Sequence, residues 1–142
     1  MRRSLLASVL DLLEKNARLR ERMTFFEIGP VFLPQTGSPL PAEPQRLALA
    51  LTGLRTPPAW DRKDTARLDF FDLKGVVERL FEWAGLADVD FVRCEDAVLH
   101  PGQSAAVHVG GVYAGRLGRL HPEIEARLAE AKVLGVPCIV SR

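Results

Sequence analysis

Apolar side chains recur at helical spacing in two segments of the chain. In residues 4 to 20 they form one broad face opposite a charged face, which predicts an amphipathic helix with Ser4 as its N-cap. In residues 69 to 86 they repeat at i, i+3, i+4 and i+7, and Gly85 stands where a helix C-cap is expected. Each segment is therefore predicted to be a helix that buries one face.

Two strands are predicted in the first half of the chain. Residues 24 to 33 are rich in aromatic and β-branched side chains, and residues 46 to 53 are strongly apolar. The four prolines and one glycine at 34 to 44 predict a long exposed loop that joins these strands in antiparallel order. The polar residues 54 to 68 predict a second exposed loop.

The last third of the chain changes to shorter strands. Strands are predicted at 89 to 93, 105 to 109 and 112 to 117, with Gly110-Gly111 as the hairpin turn between the last two. Pro122 begins a helix that runs to about Lys132, because a proline in the first turn loses no helical hydrogen bond. Residues 136 to 141 predict a final strand, in which Pro137 suits an edge or strand-start position.

The order α, β, β, α, β, β, β, α, β favours an α+β fold, with a mostly antiparallel sheet flanked by helices. One domain is expected over residues 1 to 142, because a chain of this length can bury about two-thirds of its unfolded surface. Cys94 and Cys138 lack metal-ligand spacing and form no disulfide framework, so both are expected to be buried, reduced thiols.

Charge narrows the range of partners. The chain has 19 Lys and Arg against 18 Asp and Glu, and this net charge of +1 argues against a protein whose main task is coating nucleic acid. Residues 2 to 22 are locally basic, with six basic and three acidic side chains, so a solvated helix face and a local RNA contact both stay open. The N-terminus resembles a secretory signal, but Asp11 interrupts its apolar run. No apolar run in the chain approaches the roughly 20 residues that a membrane-spanning helix needs. A soluble, cytoplasmic protein without a membrane segment is predicted.

Residues that could carry chemistry have simpler structural explanations. The glycines at 110 to 118 lack the spacing of a phosphate-binding loop, and the serines lie in no nucleophile elbow. The three histidines lack metal-ligand spacing and are expected to be structural, two of them by bonding backbone carbonyls at element boundaries. These histidines are His100, His108 and His121.

Four acids around the strand at 89 to 93 are expected to form a solvated face, although they could hold a divalent cation. They are Asp88, Asp90, Glu95 and Asp96. Neither catalytic, cofactor-binding nor metal-ligating residues are assigned from the sequence.

Several strings, read in order, resemble one family. They are R-R-S-L-L-A-S-V-L at 2 to 10, F-F-E-I-G-P-V-F at 25 to 32, D-F-F-D-L-K-G-V-V-E at 69 to 78, H-P-G-Q-S-A at 100 to 105 and L-G-R-L-H-P-E-I at 117 to 124. Together they are similar to the β subunit of bacterial phenylalanyl-tRNA synthetase. That subunit is several times longer, so the resemblance implies a piece, or a fragmentary homologue, of its catalytic-like core, between the first and third class II signatures.

The resemblance implies a catalytically inert copy of the class II synthetase core. In the family this core packs against a catalytic α subunit in an (αβ)₂ enzyme that uses Mg-ATP to attach phenylalanine to tRNA. Class II sites hold the ATP α-phosphate with an arginine on the first strand of the second signature, and the matching position here is Leu33. No cofactor is therefore expected in this chain, and the resemblance implies tRNA as a further partner through the parent complex, with an RNA-binding module that uses the basic first helix as the alternative.

The residues that carry the resemblance are expected to serve the architecture. Phe70, Phe71 and Leu73 are expected to anchor the central helix, and Gly75 to let that helix approach the sheet. Turns or tight strand packing are expected at Gly102, Gly115 and Gly118. Glu27 lies on a strand expected to be central and therefore needs a partner, for which Arg46 and Arg2 are the candidates.

Overall fold

A computed structural model of the protein describes residues 2–17, 19–57, 59–61, 64–130 and 137–138. Its elements in chain order are α1 (Leu6–Asn16), β1 (Met23–Pro30), β2 (Gln45–Thr52), α2 (Phe70–Trp83), β3 (Val89–Arg93), β4 (Leu99–Val109), β5 (Val112–Leu120), α3 (Pro122–Glu130) and β6 (Pro137–Cys138). The predicted α+β class and the predicted order of elements are confirmed.

The strands form one six-stranded sheet in the order β1-β2-β6-β5-β4-β3, and its paired neighbours run antiparallel. Pro137 was expected at an edge or at the start of a strand. It starts β6, but β6 lies between β2 and β5, so the edge alternative is wrong. Within the described residues the edges are β1 and β3 instead. The remainder of the predicted final strand lies outside the described residues.

Several predicted boundaries shift in the structure. The first helix is shorter than residues 4 to 20, and its N-cap residue is Leu5, although Ser4 Oγ accepts a 3.1 Å hydrogen bond from the Leu6 N–H. β4 and β5 are longer than predicted, and their turn has positive φ at both Gly110 (56°) and Gly111 (76°), as the Gly-Gly pair indicates.

The two predicted loops are partly structured. The loop at 34 to 44 is closed by a bridge between Leu33 and Ala42, and the loop at 54 to 68 by a bridge between Leu54 and Arg67. Backbone pairing at their ends therefore ties both loops to the fold.

α2 is the best-defined helix at both ends. Asp69 Oδ1 accepts hydrogen bonds from the N–H groups of Phe71 (2.8 Å) and Asp72 (3.1 Å), and Asp72 Oδ2 accepts one from the N–H of Asp69 (2.8 Å). This reciprocal pair is a capping box. At the other end Gly85 adopts φ +68° and its N–H bonds the Glu82 carbonyl, which confirms the predicted glycine cap.

The hydrophobic core lies on both faces of the sheet. On one face α1 and α3 pack over a cluster made of Leu5, Val9, Leu13, Met23, Val31, Ala48, Ala50, Leu120 and Leu128. On the other face α2 packs over Leu51, Val107 and Leu117 through its own Leu73 and Val77. Alternate residues of β2 therefore enter opposite cores, as the two-residue period of a strand requires.

Three expected packing roles have different outcomes. Gly118 is confirmed as a tight site, because a Cβ there would lie 2.7 Å from the Gln103 carbonyl oxygen. Gly75 does not bring α2 to the sheet: a Cβ would meet no atom within 4 Å. Leu73 is fully buried, but Phe71 is 74% exposed and does not anchor the helix. The predictions for Phe71 and Gly75 fail for the same reason. The two residues are four positions apart and therefore share one side of α2, which is its outer side, away from the sheet.

In the described part of the chain, no helix is long and apolar enough to cross a membrane.

Candidate functional site

The strings at 69 to 78 and 100 to 105 meet in a cleft beside the first turn of α2. Its lining residues come from the N-cap and first turns of α2, from β3 and from β4: Asp69, Phe70, Phe71, Lys74, Phe91, Arg93, Gly102, Gln103, Ser104 and Ala105. The cleft has a volume of about 590 Å³, within the range of ligand-binding sites. Because it joins two distinctive strings that are distant in the sequence, this cleft is the candidate site.

Arg55, in the loop before α2, pairs with the two aspartates at the start of that helix. Arg55 Nη2 lies 3.0 Å from Asp69 Oδ2 and 2.9 Å from Asp72 Oδ2, and its Nε lies 3.0 Å from Asp72 Oδ1. The hydrogen bonds and charge of Asp72, reinforced by Asp69, raise the pKa of Arg55 above its usual value. Arg55 therefore links the loop at 54 to 68 to the first turn of α2.

Asp72 stays ionised in this network. Burial favours its neutral form, but the hydrogen bonds from Arg55 and from the backbone N–H of Asp69, with the charge of Arg55, lower its pKa below the usual value. A carboxylate in this state accepts hydrogen bonds and does not donate a proton near neutral pH. Asp72 thus serves the helix cap and is poorly suited to acid catalysis.

The rest of the cleft combines aromatic rings with two cations. The Phe70 and Phe71 rings meet edge to face, with centroids 5.4 Å apart. Lys74 Nζ lies 4.4 Å from the centroid of the Phe91 ring and also pairs with Glu78. Arg93 is exposed and donates a 3.4 Å hydrogen bond to the Pro101 carbonyl oxygen. The aromatic rings and the two cations together suit a ligand that has an apolar group next to a negative charge.

The hydroxyl in the cleft is engaged in the fold. Ser104 is nearly buried, and its Oγ donates a 2.7 Å hydrogen bond to the backbone carbonyl of Cys94. Nucleophilic catalysis requires a base that removes this proton, whereas a carbonyl only accepts the hydrogen bond. The Ser104 hydroxyl is therefore part of the hydrogen bonding of the fold.

Leu33 occupies the position at which the resemblance would require a phosphate-binding arginine. Leu33 and Ala42 exchange two backbone hydrogen bonds with N···O distances of 2.9 Å, and the Leu33 side chain packs against the core on the α1 side. An apolar side chain cannot neutralise a phosphate, so the residues present here do not fit Mg-ATP.

Glu27 has the partner that one of the two sequence alternatives named. Arg2 Nη1 forms an ion pair with Glu27 Oε1, and Arg2 Nε donates a 3.1 Å hydrogen bond to the Pro30 carbonyl. The expectation that this strand is central is wrong, since β1 is an edge of the described sheet. Arg2 therefore joins the segment before α1 to an edge strand.

The histidines make local contacts that differ from the expectation. His100 Nδ1 accepts a hydrogen bond from the Gly102 N–H (3.0 Å) and His121 Nδ1 accepts one from the Glu123 N–H (3.3 Å). In both contacts the ring nitrogen accepts a hydrogen bond from the backbone N–H two residues further along the chain, whereas the sequence predicted contacts to backbone carbonyls. The His108 ring lies edge to face with Tyr113, with centroids 5.7 Å apart.

The acidic residues around β3 and the basic residues of the segment 2 to 22 make individual contacts. Asp96 pairs with Arg116 and accepts a 2.9 Å hydrogen bond from the Val98 N–H. Across the described ranges, no three His, Cys, Asp or Glu residues lie close enough to hold a metal ion. In the basic segment Arg22 Nε donates to the Leu54 carbonyl, whereas Arg3 and Arg20 are exposed.

Sequence reasoning missed two features of this region. The D-x-x-D pattern at 69 to 72 indicates a capping box. Nothing in the sequence indicates that Arg55 binds both of its aspartates. The exposure of Phe71 was also missed, although its spacing from Leu73 and Val77 places it outside the buried stripe.

The comparisons with known proteins agree on one family. The family model described as the phenylalanyl tRNA synthetase beta chain CLM domain matches residues 1–132. The chain is 42% identical over 128 residues to the phenylalanine–tRNA ligase beta subunit of Symbiobacterium thermophilum, covering 89% of this chain and 14% of the relative. It is 38% identical over 132 residues to that of Syntrophus aciditrophicus, covering 90% and 16%. The chain thus spans about one-seventh of the length of these relatives.

A solved structure shares the fold. The pyrrolysyl tRNA synthetase PylSc of Desulfitobacterium hafniense superposes with a TM-score of 0.67 and 18% sequence identity, over 99% of this chain and 46% of that one. At this identity the likeness concerns the fold alone.

Proposed function

The chain belongs to the family of the phenylalanyl-tRNA synthetase β-chain CLM domain, and from this premise we propose that it is the non-catalytic core of a phenylalanine–tRNA ligase β subunit. In this role it supports a catalytic α subunit, in an (αβ)₂ enzyme of the cytoplasm that attaches phenylalanine to tRNA. Its fold is an inert copy of the class II synthetase core.

The observation that carries the proposal is the environment of Leu33. Its backbone is paired with Ala42 and its side chain is packed into the α1-side core, where a phosphate-binding site would need an accessible guanidinium. Mg-ATP is accordingly bound by the α subunit. The cleft beside α2 adds support, because its hydroxyl and carboxylates are engaged in structural hydrogen bonds.

The test is phenylalanine-dependent ATP–pyrophosphate exchange. We expect none from the purified chain, and exchange when the α subunit is present with its full β subunit. Calorimetric titration of the chain against the α subunit should give heat of binding, whereas titration with Mg-ATP should give none. Exchange by the pure chain would refute the proposal.

A tRNA-binding module is the second candidate function. It is favoured by the net charge of +3 over residues 2 to 22 and by the exposure of Arg3 and Arg20. Such binding should weaken steeply as salt rises, because counterions compete for the phosphates. Binding of tRNA that is undetectable even at low salt would eliminate this candidate.

A further inference from the structure

The cleft beside α2 is bordered by an irregular part of β4. Between its pairs with β5 at Leu99–Leu120 and Ser104–Gly118, β4 advances five residues while β5 advances two. β4 therefore carries three extra residues, and its residues 100–103 depart from the regular pairing as a β-bulge. Two residues of this bulge, Gly102 and Gln103, line the cleft. Bulges are frequent beside active sites, where they redirect the backbone and its side chains.

β3 places an aromatic ring and an arginine side by side in the cleft. Phe91 and Arg93 are two residues apart on this strand, so their side chains share one face of the sheet. Phe91 packs against the α2-side core, and Arg93 lines the cleft further along β3. The residue opposite Arg93 across the strand pair is Ala105. Its methyl group is small and leaves room beside the guanidinium.

Arg93 is a cation of the cleft without a counter-ion. Its guanidinium donates one hydrogen bond, 3.4 Å long, to the Pro101 carbonyl oxygen, and it forms no ion pair with any described carboxylate. Lys74, in contrast, pairs with Glu78. A guanidinium carries five N–H donors in a planar fork that matches the two oxygens of a carboxylate. Arg93 therefore retains free donors for an anion that enters the cleft.

Three phenylalanine rings supply the apolar part of the cleft. Phe70 and Phe91 are partly buried, whereas Phe71 is 74% exposed at the rim. Phe70 and Phe71 meet edge to face, which is a favoured arrangement of aromatic rings. A ligand with its own aromatic ring would extend this arrangement and cover the exposed Phe71 ring.

The acidic side chain of the cleft is already engaged. Asp69 is the one acid among the described lining residues. Its Oδ1 accepts hydrogen bonds from the N–H groups of Phe71 and Asp72, and its Oδ2 pairs with Arg55. A ligand ammonium would therefore find no free counter-ion in the cleft, whereas a ligand carboxylate finds Arg93. These charges favour an anion over a zwitterion.

We propose that the cleft binds a small aromatic carboxylate without an amino group, with its ring against Phe71 and Phe91 and its carboxylate on Arg93. The cleft volume of about 590 Å³ is sufficient for such a molecule. Phenylalanine, the amino acid of the proposed ligase reaction, lies outside this class because it carries an ammonium group. The inference is independent of the proposed function, which requires no ligand in this chain.

The test is an NMR titration of the chain with 3-phenylpropionate, followed through the backbone amide signals of β3 and β4. For a ligand of this size we expect a dissociation constant on the order of 1 mM. Arg93→Gln removes the charge from the cleft. Arg79→Gln is the matched control, because Arg79 is exposed on α2 outside the cleft and pairs with Glu82. We expect Arg93→Gln to weaken binding at least about tenfold and Arg79→Gln to change it less than about twofold, with unchanged thermal unfolding of both variants.

Two related molecules test the selectivity of the cleft. 3-Phenylpropanol keeps the ring and lacks the charge, whereas L-phenylalanine keeps the ring and the carboxylate and adds an ammonium. We expect each to bind the unmodified chain at least about fivefold more weakly than 3-phenylpropionate does. Equal binding of 3-phenylpropanol would overturn the carboxylate contact, and equal binding of L-phenylalanine would overturn the proposed ligand class.

Other results would overturn the site as a whole. Absence of saturable shifts in β3 and β4 would do so, and so would equal effects of the two arginine variants. The titration is then repeated with a full-length β subunit that contains this chain. Loss of binding there would show that another segment of the subunit occupies the cleft, and it would overturn the ligand. ATP–pyrophosphate exchange is measured separately, so failure of this inference is distinguishable from failure of the proposed function.

Discussion

Replacing Gly75 by alanine tests whether the outer side of α2 is open. Gly75 lies in the interior of the helix, and a Cβ built on it meets no atom within 4 Å. The methyl group would therefore enter open space and displace no neighbour. Its effect on stability should come from the backbone alone.

The expected magnitude follows from helix propensity. A glycine in a helix interior is about 0.8–1.0 kcal/mol less favourable than alanine, because it loses more backbone freedom on folding. With a urea m-value of about 2 kcal/mol/M, the Gly75→Ala variant should unfold about 0.5 M later. For a chain of this length the melting temperature should rise by about 3 °C.

Gly118 provides the matched control. A Cβ there would lie 2.7 Å from the Gln103 carbonyl oxygen and 3.1 Å from the Ser104 Cα, and these backbone atoms cannot move without disturbing β4. Gly118→Ala should therefore lose about 1–3 kcal/mol. Equilibrium urea unfolding, followed by circular dichroism, measures both variants under the same conditions.

A result in the opposite direction would refute the reasoning. If Gly75→Ala lowers the free energy of unfolding, then the outer side of α2 contacts another part of the isolated chain. If both variants are neutral, the Cβ distances do not govern stability at either position.

Three further changes test the cleft. Asp69→Ala removes the N-cap acceptor for Phe71 and Asp72 and should cost about 1 kcal/mol of unfolding free energy, which urea titration measures; no loss would show that the cap is dispensable. Because the pKa of Asp72 is lowered in the folded chain, its stabilisation is present above the unfolded pKa of about 4 and is lost as the pH falls through the folded value. The stability difference between Asp72→Asn and the unmodified chain should thus shrink between pH 5 and pH 2, and a constant difference in unfolding midpoint would contradict the assigned pKa direction. Ser104→Ala removes the 2.7 Å hydrogen bond to the Cys94 carbonyl, so thermal unfolding should show a loss of about 1 kcal/mol, whereas an unchanged midpoint would mean that another donor replaces the hydroxyl.

Local signals predicted most of the elements. The apolar period of α2 and Gly85 lie within one segment, and the structure confirms the helix. The Gly110-Gly111 turn likewise follows from two neighbouring residues that both need positive φ. Such features depend on steric effects and hydrogen bonds between residues that are close in the sequence, so a short stretch of sequence is enough to predict them.

Relations between distant segments were harder to predict. The sequence does not reveal that β6 enters the sheet between β2 and β5, because strand order depends on packing across the whole chain. The same limit explains why β1 was expected to be central and why Arg55 was not linked to the cap of α2. The pairing of Glu27 with Arg2 was one of two alternatives, and only the folded chain decides between them.

The position of β6 makes the continuous sheet dependent on a segment that follows all the other strands in the sequence. β1 and β2 form one local hairpin and β3, β4 and β5 another set, but β6 supplies the backbone hydrogen bonds that join these halves. During translation each half can pair its own strands early, while the sheet becomes continuous only after residue 138 has left the ribosome. Until then both inner edges offer unpaired backbone groups, so a pause in synthesis near this point leaves the nascent chain most exposed to mispairing with other strands.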